Sequence, residues 1–150
     1  MDMASGTNAP ETKDLHRVEV SFPADARMLF LARMTAAGVA TCAELNYEQV
    51  EDLRLAVDEL CIALLACGDG AGRISLHFQW NPDWALEVVG TLVTEGDASS
   101  NGHAPDRALP SLSFDLSTQI LDALVDDHGT DETGGVRRAW LRVRRHALSL

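Results

Sequence analysis

From Arg73 to Trp80 the chain alternates without a break. Ile74, Leu76, Phe78 and Trp80 are apolar, and Arg73, Ser75, His77 and Gln79 between them are polar. Side chains of a strand point to opposite faces in turn, so this segment is satisfied only in a sheet with one covered and one wet face. Asn81-Pro82-Asp83 is a run of turn formers. Trp84-Ala85-Leu86-Glu87-Val88-Val89 then reads as the return strand, and 73–89 as a hairpin. The same alternation occurs in Val18-Glu19-Val20-Ser21-Phe22, where order is expected to begin at Arg17. It recurs over 136–146, with Ala139, Leu141 and Val143 facing in and Arg138, Trp140, Arg142 and Arg144 facing out.

A sheet of this kind needs helices on its covered face, and the remaining segments supply them. Residues 24–43 are rich in Ala, Leu and Met, which favour helix, and Pro23 suits a first helical turn. In the second helix Asn46 is a good N-cap, and Gln49 three residues on completes a capping box. Val50, Leu53, Val57, Leu60, Cys61 and Leu64 follow at spacings of three and four, one apolar stripe. Gly68 marks its end. A third helix is predicted from Asp115 to Asp127, with Leu116, Ile120, Leu121, Leu124 and Val125 on one side and Gly129 as its stop. Residues 94–110 are turn formers throughout; a loop that long is functional, a lid or disordered. The predicted order is strand, helix, helix, strand, strand, long loop, helix, strand. The fold class is α/β: a two-layer sandwich of a mixed or antiparallel sheet with helices on one face. Residues 1–16 are expected to be a disordered tail, and 17–150 a single domain.

Charge and composition exclude several functions. The 150 residues carry a net charge of −11, which repels a phosphate backbone, so no nucleic-acid partner is expected. No apolar run approaches the ~20 residues of a membrane span, and the N-terminus has no signal-peptide core. The expected location is the cytoplasm, with no membrane contact. Cys42, Cys61 and Cys67 lack zinc or redox spacing and are expected to be buried thiols. His103, His128 and His146 show no ligand spacing, and His77 is expected at the surface. Ser99, Ser100, Ser111 and Ser113 lack the elbow of a serine hydrolase. Met28, Met34, Trp80 and Trp84 are expected in the core, the two tryptophans there or at an interface. Acids concentrate at Glu44, Glu48, Glu51, Asp52, Asp58, Glu59 and Asp69, and bases at Arg137, Arg138, Arg142, Arg144 and Arg145. Either the two neutralise each other or one face attracts a basic partner.

The segment Asp52-Leu53-Arg54-Leu55-Ala56-Val57-Asp58-Glu59-Leu60-Cys61-Ile62-Ala63-Leu64 closely resembles the long helix of anti-sigma-factor serine kinases. Their pattern is roughly D-L-x-x-A-V-x-E-A-x-x-N-A, and they belong to the Bergerat, or histidine-kinase-like, ATPase superfamily. Phe22-Pro23-Ala24-Asp25, Leu31-Ala32-Arg33 and Ile120-Leu121-Asp122-Ala123-Leu124-Val125-Asp126 match the family's first strand, first helix and last helix. The likeness extends in element order over about 17–146 and implies a Bergerat-type fold.

In that family a helix glutamate is the general base, an asparagine one turn later coordinates Mg²⁺, and glycine-rich loops hold ATP. Glu59 stands at the glutamate position, as the candidate catalytic residue. The asparagine position is Ala63, which has no oxygen for a hard cation. No Asp-x-Gly-x-Gly follows the strand ending at Val89, and Ser111-Leu112-Ser113-Phe114-Asp115 precedes the last helix without a glycine. No cofactor is therefore assigned, ATP with Mg²⁺ being the alternative. Arg33 matches the family arginine that contacts the sigma factor and its competing anti-anti-sigma partner. Its alternative is a salt bridge to the acidic second helix.

The resemblance implies an anti-sigma factor that sequesters a sigma factor by protein contact, is regulated by an anti-anti-sigma protein, and forms a homodimer through free sheet edges and an exposed Trp140. The alternatives are an active ATP-dependent serine kinase acting on the anti-anti-sigma protein, and a degenerate ATPase-like domain binding another regulatory protein.

Overall fold

The computed structural model describes residues 15–66, 71–82, 86–94 and 111–144. The expected tail up to position 14 and nearly all of loop 94–110 lie outside them, as do Cys67, Gly68, Trp84, Ser99, Ser100, His103 and His146. The elements are β1 (His16–Pro23), α1 (Leu29–Cys42), α2 (Tyr47–Leu65), β2 (Arg73–Trp80), β3 (Leu86–Val93), α3 (Ser111–Leu124), β4 (Asp127–Thr133) and β5 (Val136–Val143). The five strands form one sheet in the order β1-β2-β3-β5-β4, antiparallel at every pairing. The predicted two-layer α/β architecture holds.

The alternation does what periodicity requires. Phe22, Ile74, Leu76, Phe78, Leu86, Val88 and Leu141 are buried on one face, together with Leu53, Val57, Leu60 and Leu64 of α2. Register keeps that face continuous, since Val18 pairs with Phe78 and Val88 with Leu141. The capping box is formed: Asn46 Oδ1 accepts from the Gln49 amide at 2.8 Å, and Gln49 Oε1 accepts from the Asn46 amide at 3.2 Å. The Gln49 side chain also donates to the Arg144 carbonyl at 3.0 Å, tying the start of α2 to the last strand. Gly90 on β3 lets α2 come close. A Cβ there would lie 2.6 Å from Leu60 Cδ2, 2.9 Å from Leu64 Cδ1 and 3.0 Å from Leu76 Cδ2.

Several expectations are corrected. After Pro23 the chain makes not a regular helix but a short 3₁₀ turn, Ala26–Met28, capped by the Asp25 side chain; α1 begins at Leu29. The third helix spans Ser111–Leu124, not Asp115–Asp127, and Gly129 does not end it: Asp127–Thr133 is a strand. That strand, DHGTDET, has no apolar alternation to announce it. It is held to β5 by a two-residue turn, Gly134-Gly135, with φ of 61° and 80°, the backbone form that suits a tight hairpin. Directly opposite charges support the pairing. Arg138 meets Asp131 at 2.7 Å, Arg142 meets Asp127 at 3.8 Å and Arg137 meets Glu132 at 3.9 Å.

Those β5 arginines are thus neutralised by β4, and by Glu87 of β3 at 2.7 Å from Arg142, and not by the acidic second helix. Cys42 is exposed and Met34 is 67% exposed, so neither is in the core; Cys61 and Trp80 are buried. Trp140 is half-buried, with the Arg142 guanidinium 4.9 Å from its ring centroid.

Candidate functional site

Two consecutive acids on α2 point to different helices. Neighbouring residues on a helix are about 100° apart around its axis, so Asp58 and Glu59 cannot serve the same neighbour. Asp58 Oδ1 accepts from Arg33 Nη1 of α1 at 2.8 Å, the two side chains being 40% and 23% exposed for Arg33 and Asp58 respectively. Glu59 Oε2 accepts from the Ser117 hydroxyl of α3 at 2.9 Å. Three residues after Asp58 is Cys61, fully buried; burial pushes its thiol up to about 12, the Asp58 charge adds to this and Arg33 opposes it. A thiol so placed is inert at neutral pH.

Ala63, one turn beyond Glu59, lines a cavity of about 190 Å³ with Leu60, Ser117, Leu121, Ala139 and Trp140 among its walls. Ligand pockets are typically about 300–1,000 Å³. The resemblance implies Mg-ATP here, and the residues do not fit it. The position that would hold the cation offers a methyl group, the walls are mostly apolar, and the Glu59 carboxylate is already engaged by a hydroxyl of the same chain. A larger groove of about 450 Å³ lies between Gln79, Glu87, Asp126, Asp127, Arg142 and Arg144. It contains neither Glu59 nor Arg33; within it Arg142 pairs with Glu87, and Asp126 accepts from the Arg144 backbone amide at 2.7 Å.

Around Arg33 the outer face of the helix layer exposes apolar side chains. Phe30 and Met34 of α1, and Leu55 and Ile62 of α2, are large, apolar and solvent-facing. Phe30 and Met34 are one turn apart on the same helix face. The structure therefore brings Arg33 together with the acidic helix, as one of the two sequence readings had it. It separates Arg33 from Glu59, which is committed to α3. Of the histidines described, His77 is on the wet face 3.3 Å from Glu19, and His128 is 2.6 Å from Asp122. Sequence reasoning did not single out Asp58 among the acids of the second helix, and it missed Ser117 as a partner. The one available signal was that an arginine in an apolar helix must find a carboxylate or water.

An acidic central helix clamped to both flanking helices, over a one-sided antiparallel sheet, defines an α/β domain whose conspicuous polar groups join helices rather than converge on a reactive centre. Comparison with known proteins places it further. Over 149 residues the chain is 32% identical to the anti-sigma-F factor RsbW of Mycobacterium tuberculosis (strain H37Rv), covering 91% of this chain and 79% of that protein. It is 29% identical over 118 residues to the serine-protein kinase RsbW of Bacillus subtilis (strain 168), covering 77% of this chain but 64% of that protein, slightly under two thirds of its length. It is 27% identical over 131 residues to the serine-protein kinase RsbW of Bacillus velezensis, covering 79% and 80%. No family model matches the chain. The chain belongs to the RsbW family of anti-sigma factors and serine-protein kinases.

Proposed function

We propose that this chain is an anti-sigma factor that sequesters a sigma factor by protein contact and is released by a competing anti-anti-sigma protein. The reading places it in the cytoplasm, within the Bergerat ATPase superfamily, as a homodimer; β1 and β4, at the two ends of the strand order, are edges that can pair. The observation that carries the reading is the surface around Arg33. An arginine side chain that is 40% exposed, with Nη1 engaged by Asp58, stands beside exposed Phe30 and Met34. Arginine beside exposed apolar side chains suits an interface hot spot, and charge-assisted bonds to a partner carboxylate would be stronger than neutral ones. A serine-kinase reading has one feature in its favour, Glu59 at the position of the family's base. Ala63 and the Ser117 contact weigh against it.

The test is Arg33→Ala beside Asp58→Ala, with sigma affinity and thermal unfolding measured on each. The half-exposed ion pair supports the fold by at most about 1 kcal/mol. Arg33→Ala is expected to weaken sigma binding by about 2 kcal/mol, roughly thirtyfold, at little cost in stability. If Arg33 serves only Asp58, both variants lose the same small stability and neither loses affinity; that result refutes the assignment of the surface.

A further inference from the structure

Ser117 and Gln49 are the two buried polar side chains among the described residues. Gln49 is accounted for by the capping box and the Arg144 carbonyl. Ser117 is 7% exposed, and its partner is the Glu59 carboxylate at 2.9 Å. A hydroxyl taken out of water bears its full desolvation cost unless it is bonded, and a bond to an ionised carboxylate is about twice as strong as a neutral one. This contact therefore selects where α3 sits.

The spacing extends the argument. Glu59 and Ala63 are four apart on α2, and Ser117 and Leu121 are four apart on α3, so each pair shares a helix face. The polar member of one meets the polar member of the other. Ala63 and buried Leu121 line the same small cavity. An asparagine at position 63 would bring an amide into that apolar lining. Next along the helix, Asp58 grips Arg33 of α1, so one turn of α2 holds a helix on either side.

We propose that the Glu59–Ala63 face of α2 is the docking face for this chain's own α3, and that this packing excludes Mg-ATP from the cleft where the family resemblance would put it. Glu59 is a positioning residue that holds Ser117, not a base acting on a substrate. The inference does not rest on the sigma-factor reading: it concerns the chain alone and stands or falls without any partner.

Hydrogen exchange and thermal unfolding of the full chain test it, on the wild type and on Ser117→Ala, Glu59→Ala and Glu59→Gln, each with and without roughly millimolar Mg-ATP. Ser117→Ala and Glu59→Ala are expected to speed exchange of the α3 amides from Leu116 to Leu124 by about tenfold, while those of β2 and β3 stay as they are. Glu59→Gln keeps a carbonyl that can accept the same hydroxyl and should restore most of the protection. Mg-ATP should leave exchange and melting temperature of the wild type unchanged. Slower exchange in α2 and α3 on adding Mg-ATP to the wild type, lost in Glu59→Ala, would assign Glu59 to the nucleotide and overturn the proposal. So would α3 protection in Ser117→Ala equal to that of the wild type. Should an alanine variant fail to fold, the wild-type nucleotide arm and Glu59→Gln still decide.

Discussion

Gly90→Ala is the sharpest test of how α2 seats on the sheet. The added Cβ would stand 2.6, 2.9 and 3.0 Å from methyl carbons of Leu60, Leu64 and Leu76, all at most 1% exposed. Three leucines locked in a packed interior cannot all rotate away. Overpacking of this kind costs about 1–3 kcal/mol. Alanine also restricts the unfolded chain, which returns about 0.4–1 kcal/mol. The net loss is then about 1.5 kcal/mol, or a fall of about 6 °C in melting temperature at roughly 4 °C per kcal/mol for a domain of this size. Urea unfolding followed by circular dichroism measures it directly. A double-mutant cycle adds a second check. Leu60→Ala alone should cost about 2–5 kcal/mol, but less in the Gly90→Ala background, because the new methyl occupies part of the vacated space. A Gly90→Ala protein as stable as the wild type, or strict additivity with Leu60→Ala, would refute the close approach of α2 and β3.

Two further predictions concern charge and backbone. Glu44 is an exposed residue with φ of 61°, left-handed, just past the end of α1. Such a conformation costs a side-chain-bearing residue roughly 1–2 kcal/mol, and glycine forfeits about 0.4–1 kcal/mol of that by loosening the unfolded chain. For Glu44→Gly the net gain of about 0.5–1 kcal/mol should raise the melting temperature by about 2–4 °C; a fall would show that the Glu44 side chain makes a contact worth more than the strain. Burial, and then the neighbouring Glu48 charge, disfavour the ionised form of Asp52 and push its carboxyl up from its ordinary value. With the folded value above the unfolded one, ionisation of Asp52 lowers stability as pH rises from the one value through the other. Asp52→Asn should therefore be more stable than the wild type at pH 7, with the difference shrinking as pH falls toward about 4. Equal differences at both pH values in urea titrations would exclude the burial argument.

The parts of the fold that could be read in the chain are those where one residue's neighbours along the sequence determine its environment. The strict alternation of 73–80 and the stripe from Val50 to Leu64 each specify a buried face by local spacing alone, and both appear as β2 and α2. The strand Asp127–Thr133 was illegible for the opposite reason. Its stability comes from β5, through Arg138, Arg142 and Arg137 opposite Asp131, Asp127 and Glu132, and no periodicity inside DHGTDET reports a partner elsewhere. Its one local signal is Gly134-Gly135, a pair that favours a tight hairpin, but a glycine pair shortly after a predicted helix does not by itself reveal a strand on its N-terminal side.

The candidate site divides along the same line. Residue type told that Arg33, a lone guanidinium in an apolar helix, must find a carboxylate or water; for Glu59 the chain offered only its motif position. Which partners they find depends on how helices distant in sequence align. Arg33 and Asp58 are 25 residues apart, and Glu59 and Ser117 are 58 apart. The first pairing follows once α1 and α2 pack together over a short connection. The second requires α3, which reaches α2 only after the hairpin and the segment from 94 to 110. The resemblance proposes Glu59 for the position of the family's base. Only the packed structure shows a hydroxyl from α3 at its carboxylate and an apolar wall at Ala63. On the packing proposed above, a helix so close to the motif keeps a glutamate at the motif position while its carboxylate serves to hold α3: the residue is local, and the environment is not.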